Sequence, residues 1–223
     1  MSNDGRRKFL KGIGLGSLVM SVGSYGVVAN KPTTDKKSKH YAMIFDQNKC
    51  VGCTDCEIAC AKVNKVPKGQ FRMIIEDKTD PKKPRERRMV RVSCQQCVEA
   101  PCVQVCPSKA CHRDNLTNIV TMNADDCIGC LYCIVACPYN VRFVNEETHA
   151  AENCNFCENT NLKEGKDPAC IEACKYEAIV FGDLNDEKSK INRILKIKDS
   201  LRMKPELGTK PSLRYIPAVR LGV

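Results

Sequence analysis

Sixteen of the seventeen cysteines in this 223-residue chain fall into four groups. They are Cys50-x2-Cys53-x2-Cys56-x3-Cys60, Cys94-x2-Cys97-x4-Cys102-x3-Cys106, Cys127-x2-Cys130-x2-Cys133-x3-Cys137 and Cys154-x2-Cys157-x12-Cys170-x3-Cys174. Pro107 and Pro138 follow the second and third groups, and Cys111 stands outside all four. Three thiols within seven residues, twice over, force the backbone to curl around something. The chain has no tryptophan and only 5% aromatic residues, so large apolar anchors are scarce. Something besides side chains must help to fill the core.

The third group matches the run C-x2-C-x2-C-x3-C-P that holds iron–sulfur clusters in bacterial ferredoxins, and the first matches apart from the proline. Three cysteines spaced by two residues surround one cubane from one tight loop. The fourth lies about a helical turn further on, faces away, and ligates the neighbouring cluster. The groups must therefore work in pairs, and four groups imply four [4Fe–4S] clusters. Two alternatives compete. A disulfide framework does not need three cysteines so close together. Zinc ribbons use paired C-x2-C knuckles, which would suit the second and fourth groups but not the first and third.

The formal charge is +10, which by itself would point to nucleic acid or an anionic surface. Arg6, Arg7, Lys8 and Lys11 against Asp4 account for part of it, and without the first 29 residues the charge is +7. Four clusters at about −2 each would bring the total to about −1. The excess base reads as counter-charge for cofactors, and no nucleic-acid partner is expected. "GRRKFLKGIGLGSLVMSVGSYGVVAN" resembles a twin-arginine export signal, with Val27-Val28-Ala29 as its cleavage site. The alternative is an uncleaved N-terminal anchor. Gly12, Gly14 and Gly16 have no strand before them and do not make a dinucleotide loop. This route exports folded proteins, which suits a chain loaded with cofactor before export and predicts a periplasmic location.

The expected domains are a signal at residues 1–29, a loop-rich α+β domain at 30–184 and a basic tail at 185–223. Strands are expected at Tyr41–Phe45, Met89–Val92, Ile119–Met122 and Ile179–Phe181, with short helices at Ile58–Val63 and Ile134–Cys137. The polar stretch 62–91 reads as an inserted loop, either simply solvated or a partner-docking face. Ser189 to Met203 reads as an amphipathic helix with Ile191, Ile194, Leu195, Ile197 and Leu201 as its apolar positions. It either folds back onto the core or docks a membrane partner. His40, His112 and His149 share no motif and read as surface residues.

The order and spacing of the groups, with "CVEAPCVQVCP", "DDCIGCLYCIVACPYNVRF" and "DPACIEAC", resemble the ferredoxin-type iron–sulfur subunits of bacterial respiratory reductases. The NrfC-type subunit of the cytochrome c nitrite reductase system is similar, as are those of sulfite, tetrathionate, thiosulfate and polysulfide reduction. The resemblance implies tandem 2[4Fe–4S] ferredoxin-like modules in which the first group pairs with the fourth and the second with the third. Cluster 1 would be held by Cys50, Cys53, Cys56 and Cys174, and cluster 2 by Cys60, Cys154, Cys157 and Cys170. Cluster 3 would be held by Cys94, Cys97, Cys102 and Cys137, and cluster 4 by Cys106, Cys127, Cys130 and Cys133. Lys175 stands where the family usually has proline, which leaves that turn less fixed and its cluster more exposed.

The resemblance also implies the role. Quinol is oxidised in an integral membrane subunit, and electrons pass through this chain to a periplasmic terminal reductase. That acceptor is a multihaem cytochrome for nitrite or sulfite, or alternatively the molybdopterin catalytic subunit of a tetrathionate, thiosulfate or polysulfide reductase. The chain shows no nucleotide loop, nucleophile motif or acid–base constellation, so no catalytic site of its own is expected. Cys111 aligns with Ile179 when the second and fourth groups are compared. It reads as a small buried hydrophobe, against the alternatives of a reactive thiol or a substitute ligand.

Overall fold

The computed structural model describes residues 38–219, so the signal-like segment 1–29 lies outside the described residues. In chain order the elements are β1 (Tyr41–Asp46), α1 (Asp55–Val63), β2 (Met73–Asp77), β3 (Met89–Ser93), α2 (Pro101–Gln104), β4 (Cys111–Arg113), β5 (Val120–Met122), α3 (Tyr132–Val135), β6 (Phe143–Val144), β7 (Ala151–Glu152), α4 (Ala169–Glu172), β8 (Ile179–Asp183), α5 (Lys190–Ile197) and β9 (Leu213–Ile216). The fold is α+β, with short helices and hairpins joined by loops. None of the described helices is long and apolar enough to cross a membrane.

The one three-stranded sheet among the described residues has the order β8-β1-β9. β1 is central because Ala42, Met43, Ile44 and Phe45 form an unbroken apolar run, and all four are buried. A strand covered on both faces needs such a run rather than alternation. Met43 and Phe45 face the cysteine-rich core, while Ala42 and Ile44 pack with Val180, Ile191 and Ile216. β8 pairs antiparallel with β1, with Phe45 opposite Ile179. β9 pairs parallel with β1, with Met43 opposite Leu213.

The tail from residue 185 therefore folds back and completes this sheet. Ser189 caps α5, its Oγ accepting from the Asn192 N–H at 3.4 Å. Ile191 is fully buried and sits so close over β8 that a Cβ on Gly182 would come within 2.9 Å of it. The helix stops at Ile197, earlier than the periodicity suggested, and Lys198 is extended. Leu201 instead exchanges backbone hydrogen bonds with Tyr215 (2.8 and 2.9 Å), which holds residues 198–201 along β9. Ile197 and Leu201 are consequently exposed rather than part of an apolar helix face.

The stretch 62–91, expected as a loop, carries β2 and the start of β3, paired antiparallel from Met73↔Ser93 to Asp77↔Met89. Its basic tip leans on the first cysteine loop, where Arg87 Nη2 donates to the Val51 carbonyl at 2.6 Å. The other strands lie close to where the sequence placed them. α1 begins three residues and α3 two residues earlier than expected, because the chain turns into helix just after the second cysteine of each loop. α1 packs on α4 and α2 packs on α3, so the helix of the first group meets that of the fourth, and the second meets the third.

Candidate metal centres

Each cysteine loop is shaped by one backbone feature. The residue before the second cysteine has a positive φ in all four groups: Gly52 (75°), Gln96 (50°), Gly129 (68°) and Phe156 (53°). Glycine tolerates this region freely, whereas Gln96 and Phe156 are held there under strain. Thr54 and Leu131, directly after Cys53 and Cys130, repeat the feature at φ 63° each and lead into α1 and α3. These reversals curl the loops so that successive cysteines point the same way.

The cysteines surround cavities. Cys50, Cys53, Cys56 and Cys174 line one, together with Phe45, Ile75 and Ile179. Cys60, Cys154, Cys157 and Cys170 line another with Arg91 and Asn64. Cys94, Cys97, Cys102 and Cys137 line a third with Val120 and Arg142. In the remaining set, Cys133 lies within electrostatic reach of Cys106 and Cys127, and Cys130 is exposed on the same loop as Cys127. None of the seventeen is disulfide-bonded. Among the described residues, no three His, Cys, Asp or Glu side chains converge on a point that would hold a single ion.

Helix geometry explains the interleaving. Cys56 and Cys60 are four residues apart on α1, about one turn, yet they line different cavities. Cys170 and Cys174 do the same around α4. The cavity of Cys60 and the cavity of Cys94 are joined through buried polar groups. Gln96 Nε2 donates to the Cys154 carbonyl (2.6 Å) and to the Val120 carbonyl (3.0 Å), and its Oε1 accepts from the Val120 N–H (2.6 Å).

Burial is graded along this arrangement. All four cysteines are buried in the Cys60 set and in the Cys94 set. The Cys50 set has Cys53 exposed and the Cys106 set has Cys130 exposed. Side-chain donors reach sulfur in both inner sets. Arg91 Nη1 donates to Cys170 Sγ at 3.4 Å and its Nη2 to Cys154 Sγ at 3.8 Å. Asn64 Nδ2 reaches Cys157 Sγ (3.5 Å) and Cys60 Sγ (3.7 Å). Arg142 Nη2 donates to Cys102 Sγ at 3.4 Å. In the two flanking sets the donors include backbone N–H groups, from Ala178 to Cys174 and from Cys111 to Cys106, both at 3.3 Å.

Burial pushes the Cys56 thiol up to about 12 and the Cys97 thiol up to about 11, and raises Cys60 and Cys94 further. Such thiols do not ionise at neutral pH unaided. A metal would have to displace their protons. The buried guanidinium groups fit an anionic guest. Arg91 is fully buried with no carboxylate among its hydrogen-bond partners. The Arg142 Nη1 at the third cavity has no partner among the described residues. A cluster with four thiolate ligands carries the negative charge these groups lack, so the residues present fit [4Fe–4S] clusters.

Similarity to known proteins agrees with this chemistry. The 4Fe-4S dicluster domain family matches residues 86–184. Protein NrfC of Escherichia coli (strain K12) is 46% identical over 195 residues, covering 86% of each sequence. The chain thus belongs to the NrfC-type family of ferredoxin-like iron–sulfur subunits of bacterial respiratory reductases. The B subunit of Wolinella succinogenes polysulfide reductase is also 46% identical, over 74% of this protein and 87% of that one. The thiosulfate reductase electron transfer subunit PhsB of Salmonella typhi is 40% identical, over 68% and 80%.

Within this NrfC-type protein, Lys175 is exposed and pairs with Asp55 at 3.4 Å, a weak surface contact. His149 is exposed, but His40 and His112 are half-buried, held by Ser212 Oγ (3.1 Å) and the Ala110 carbonyl (3.0 Å). Arg91, Arg142, Asn64 and Gln96 were not singled out from the sequence. The one signal for them was an arginine at an inward-facing position of "MVRVS", beside a cysteine group.

Cys111 is 1% exposed and accepts from Arg142 Nη2 at 3.0 Å. Its thiol and Arg142 together hold Cys102 down to about 6. It opens β4, opposite Met122, at the strand position expected from Ile179. Cys111→Ser is expected to retain about 16 iron atoms per protein, the content of four cubanes. Loss of about four would make Cys111 a ligand; iron and protein assays on the purified holoprotein decide.

Proposed function

We propose that this protein is a periplasmic electron conductor, moving single electrons through four [4Fe–4S] clusters between a quinol-oxidising membrane subunit and a terminal reductase. The observation that carries the reading is the graded burial of the cysteine sets. Buried inner sets lie between sets that each have one exposed cysteine, Cys53 in one and Cys130 in the other. Each cluster, when bound, supplies a one-electron couple. The protein's own residues do the rest. Cys50/53/56/174, Cys60/154/157/170, Cys94/97/102/137 and Cys106/127/130/133 are the proposed ligand sets. α1 and α4 fix the spacing of the first two, and α2 and α3 that of the last two. Gln96 ties the inner sets together, while Arg91 and Asn64 donate to sulfurs of the Cys60 set.

The favoured acceptor is a multihaem cytochrome that reduces nitrite or sulfite, by likeness to protein NrfC. The second reading is service to a molybdopterin enzyme acting on polysulfide, thiosulfate or tetrathionate. The equal identity to the polysulfide reductase B subunit favours it. In a strain lacking this gene, quinol-linked nitrite or sulfite reduction should be lost, while the terminal reductase still turns over with a reduced dye. Loss of polysulfide, thiosulfate or tetrathionate respiration instead would select the second reading. Survival of all of them would sink both.

A further inference from the structure

Among the described residues, Arg91 and Arg142 are the two cations buried directly against cysteine sulfur in the inner sets. Arg91 is fully buried and lies on β3 just before the second cysteine group. Its Nε donates to Ser93 Oγ at 2.9 Å, and its fork spans Cys154 and Cys170. Arg142 is 7% exposed and follows the third group. Its Nη2 spans Cys102 and Cys111, and its Nη1 is free at the cavity of Cys94, Cys97, Cys102 and Cys137. These are separate positions in the sequence serving separate cavities, and each puts a buried guanidinium against ligand sulfur: two sulfurs for Arg91, one for Arg142.

We propose that Arg91 and Arg142 are potential-setting residues, each holding one buried inner cluster at a level its better-solvated neighbours reach without help. The proposal rests on the four-cluster reading above. Reduction adds a negative charge to a site that is already anionic. Where a cysteine loop is open to water, solvent stabilises that charge. In the inner cavities water is excluded, so burial alone would oppose reduction. A guanidinium in contact with the ligand sulfur acts in a medium of low dielectric, where its attraction is strong and scarcely screened by salt. Net charge and hydrogen bonds to sulfur are recognised levers on cluster potential. Without the arginines the two inner sites would form a step that electrons must climb.

The two arginines then do for conduction what binding residues do for a substrate: they bring an intermediate station into range. They are positioning residues rather than ligands. The arrangement also explains why an uncompensated buried cation is tolerated in the core at all. Its partner is the cluster, and each would be costly to bury alone.

The test uses the full-length holoprotein, with iron content measured first and redox titration followed by electron paramagnetic resonance second. In Arg91→Gln, one of the four midpoints should move to lower potential by the most, with a smaller shift at most in the adjacent centre of Cys56, whose thiol also feels Arg91. In Arg142→Gln, a different one should move. Arg91→Lys and Arg142→Lys keep the charge and should stay nearer the wild-type values. Unchanged midpoints in both glutamine variants at full iron content would overturn the proposal, as would one shift shared by all four centres. If a glutamine variant loses its cluster, the lysine variant decides: retention supports charge compensation, and loss in both shows a packing role and overturns it. A wild-type iron content well short of four clusters is a separate result, and it would sink the functional reading first.

Discussion

Cys60→Ser and Cys157→Ser should abolish the same centre, and Cys56→Ser and Cys174→Ser should abolish another. Each single change is expected to lower iron from about 16 to about 12 atoms per protein and to delete one paramagnetic signal. The double variant Cys60→Ser/Cys157→Ser should lose no more than either single one, while Cys56→Ser/Cys60→Ser should lose about twice as much. The reason is the turn of α1, which sends Cys56 into the cavity beside Phe45 and Cys60 into the cavity beside Arg91. If each cysteine group held its own cluster, Cys56 and Cys60 would behave as one centre instead. That outcome would refute the interleaved ligand sets. Iron analysis with low-temperature paramagnetic resonance distinguishes the two arrangements.

Ending the protein after Lys204 should cost the fold rather than a docking function. The cut removes β9, in which Leu213, Tyr215 and Ile216 are buried, and uncovers one edge of β1. Burying three such side chains contributes roughly 1.5–3 kcal/mol each. The Tyr215 hydroxyl, which donates to the Arg91 carbonyl at 2.7 Å, is lost as well. The total matches much of the roughly 5–15 kcal/mol that holds a typical domain together. Thermal melting and the yield of soluble, iron-loaded protein are the readouts. A truncated protein that keeps its iron and its melting temperature would show that the tail is a separable appendage.

The parts of this fold that could be read from the sequence are those governed by local rules. The four cysteine groups were plain from spacing alone, and the strands at Tyr41, Met89, Val120 and Ile179 showed as short apolar runs. β9 was not legible, because "LRYI" becomes a strand only through a long-range parallel pairing with Met43 to Asp46. β2 was hidden in a polar stretch for a similar reason: Met73–Asp77 is held by its pairing with β3, and the Ile75 N–H donates to Glu57 Oε1 at 2.7 Å. Periodicity overran the end of α5 because it cannot register that Leu201 is claimed by Tyr215. Arg91 and Arg142 looked like ordinary members of a basic composition. Only the packing reveals that they are interior, since a buried cation needs a partner that the sequence does not encode.

The left-handed loop residues have a consequence for the protein's lifetime. Thirteen residues other than glycine have positive φ among the described residues, Gln96, Phe156 and Cys157 among them. At the non-glycine, non-asparagine positions within the cysteine loops this backbone costs on the order of 1–3 kcal/mol each. A polypeptide without its clusters has little to offset this and must also keep empty cavities in its core. Metal binding and folding are then one equilibrium. The amount of intact protein should then follow iron and sulfide supply, and a polypeptide that never acquires its clusters is the form most open to proteolysis.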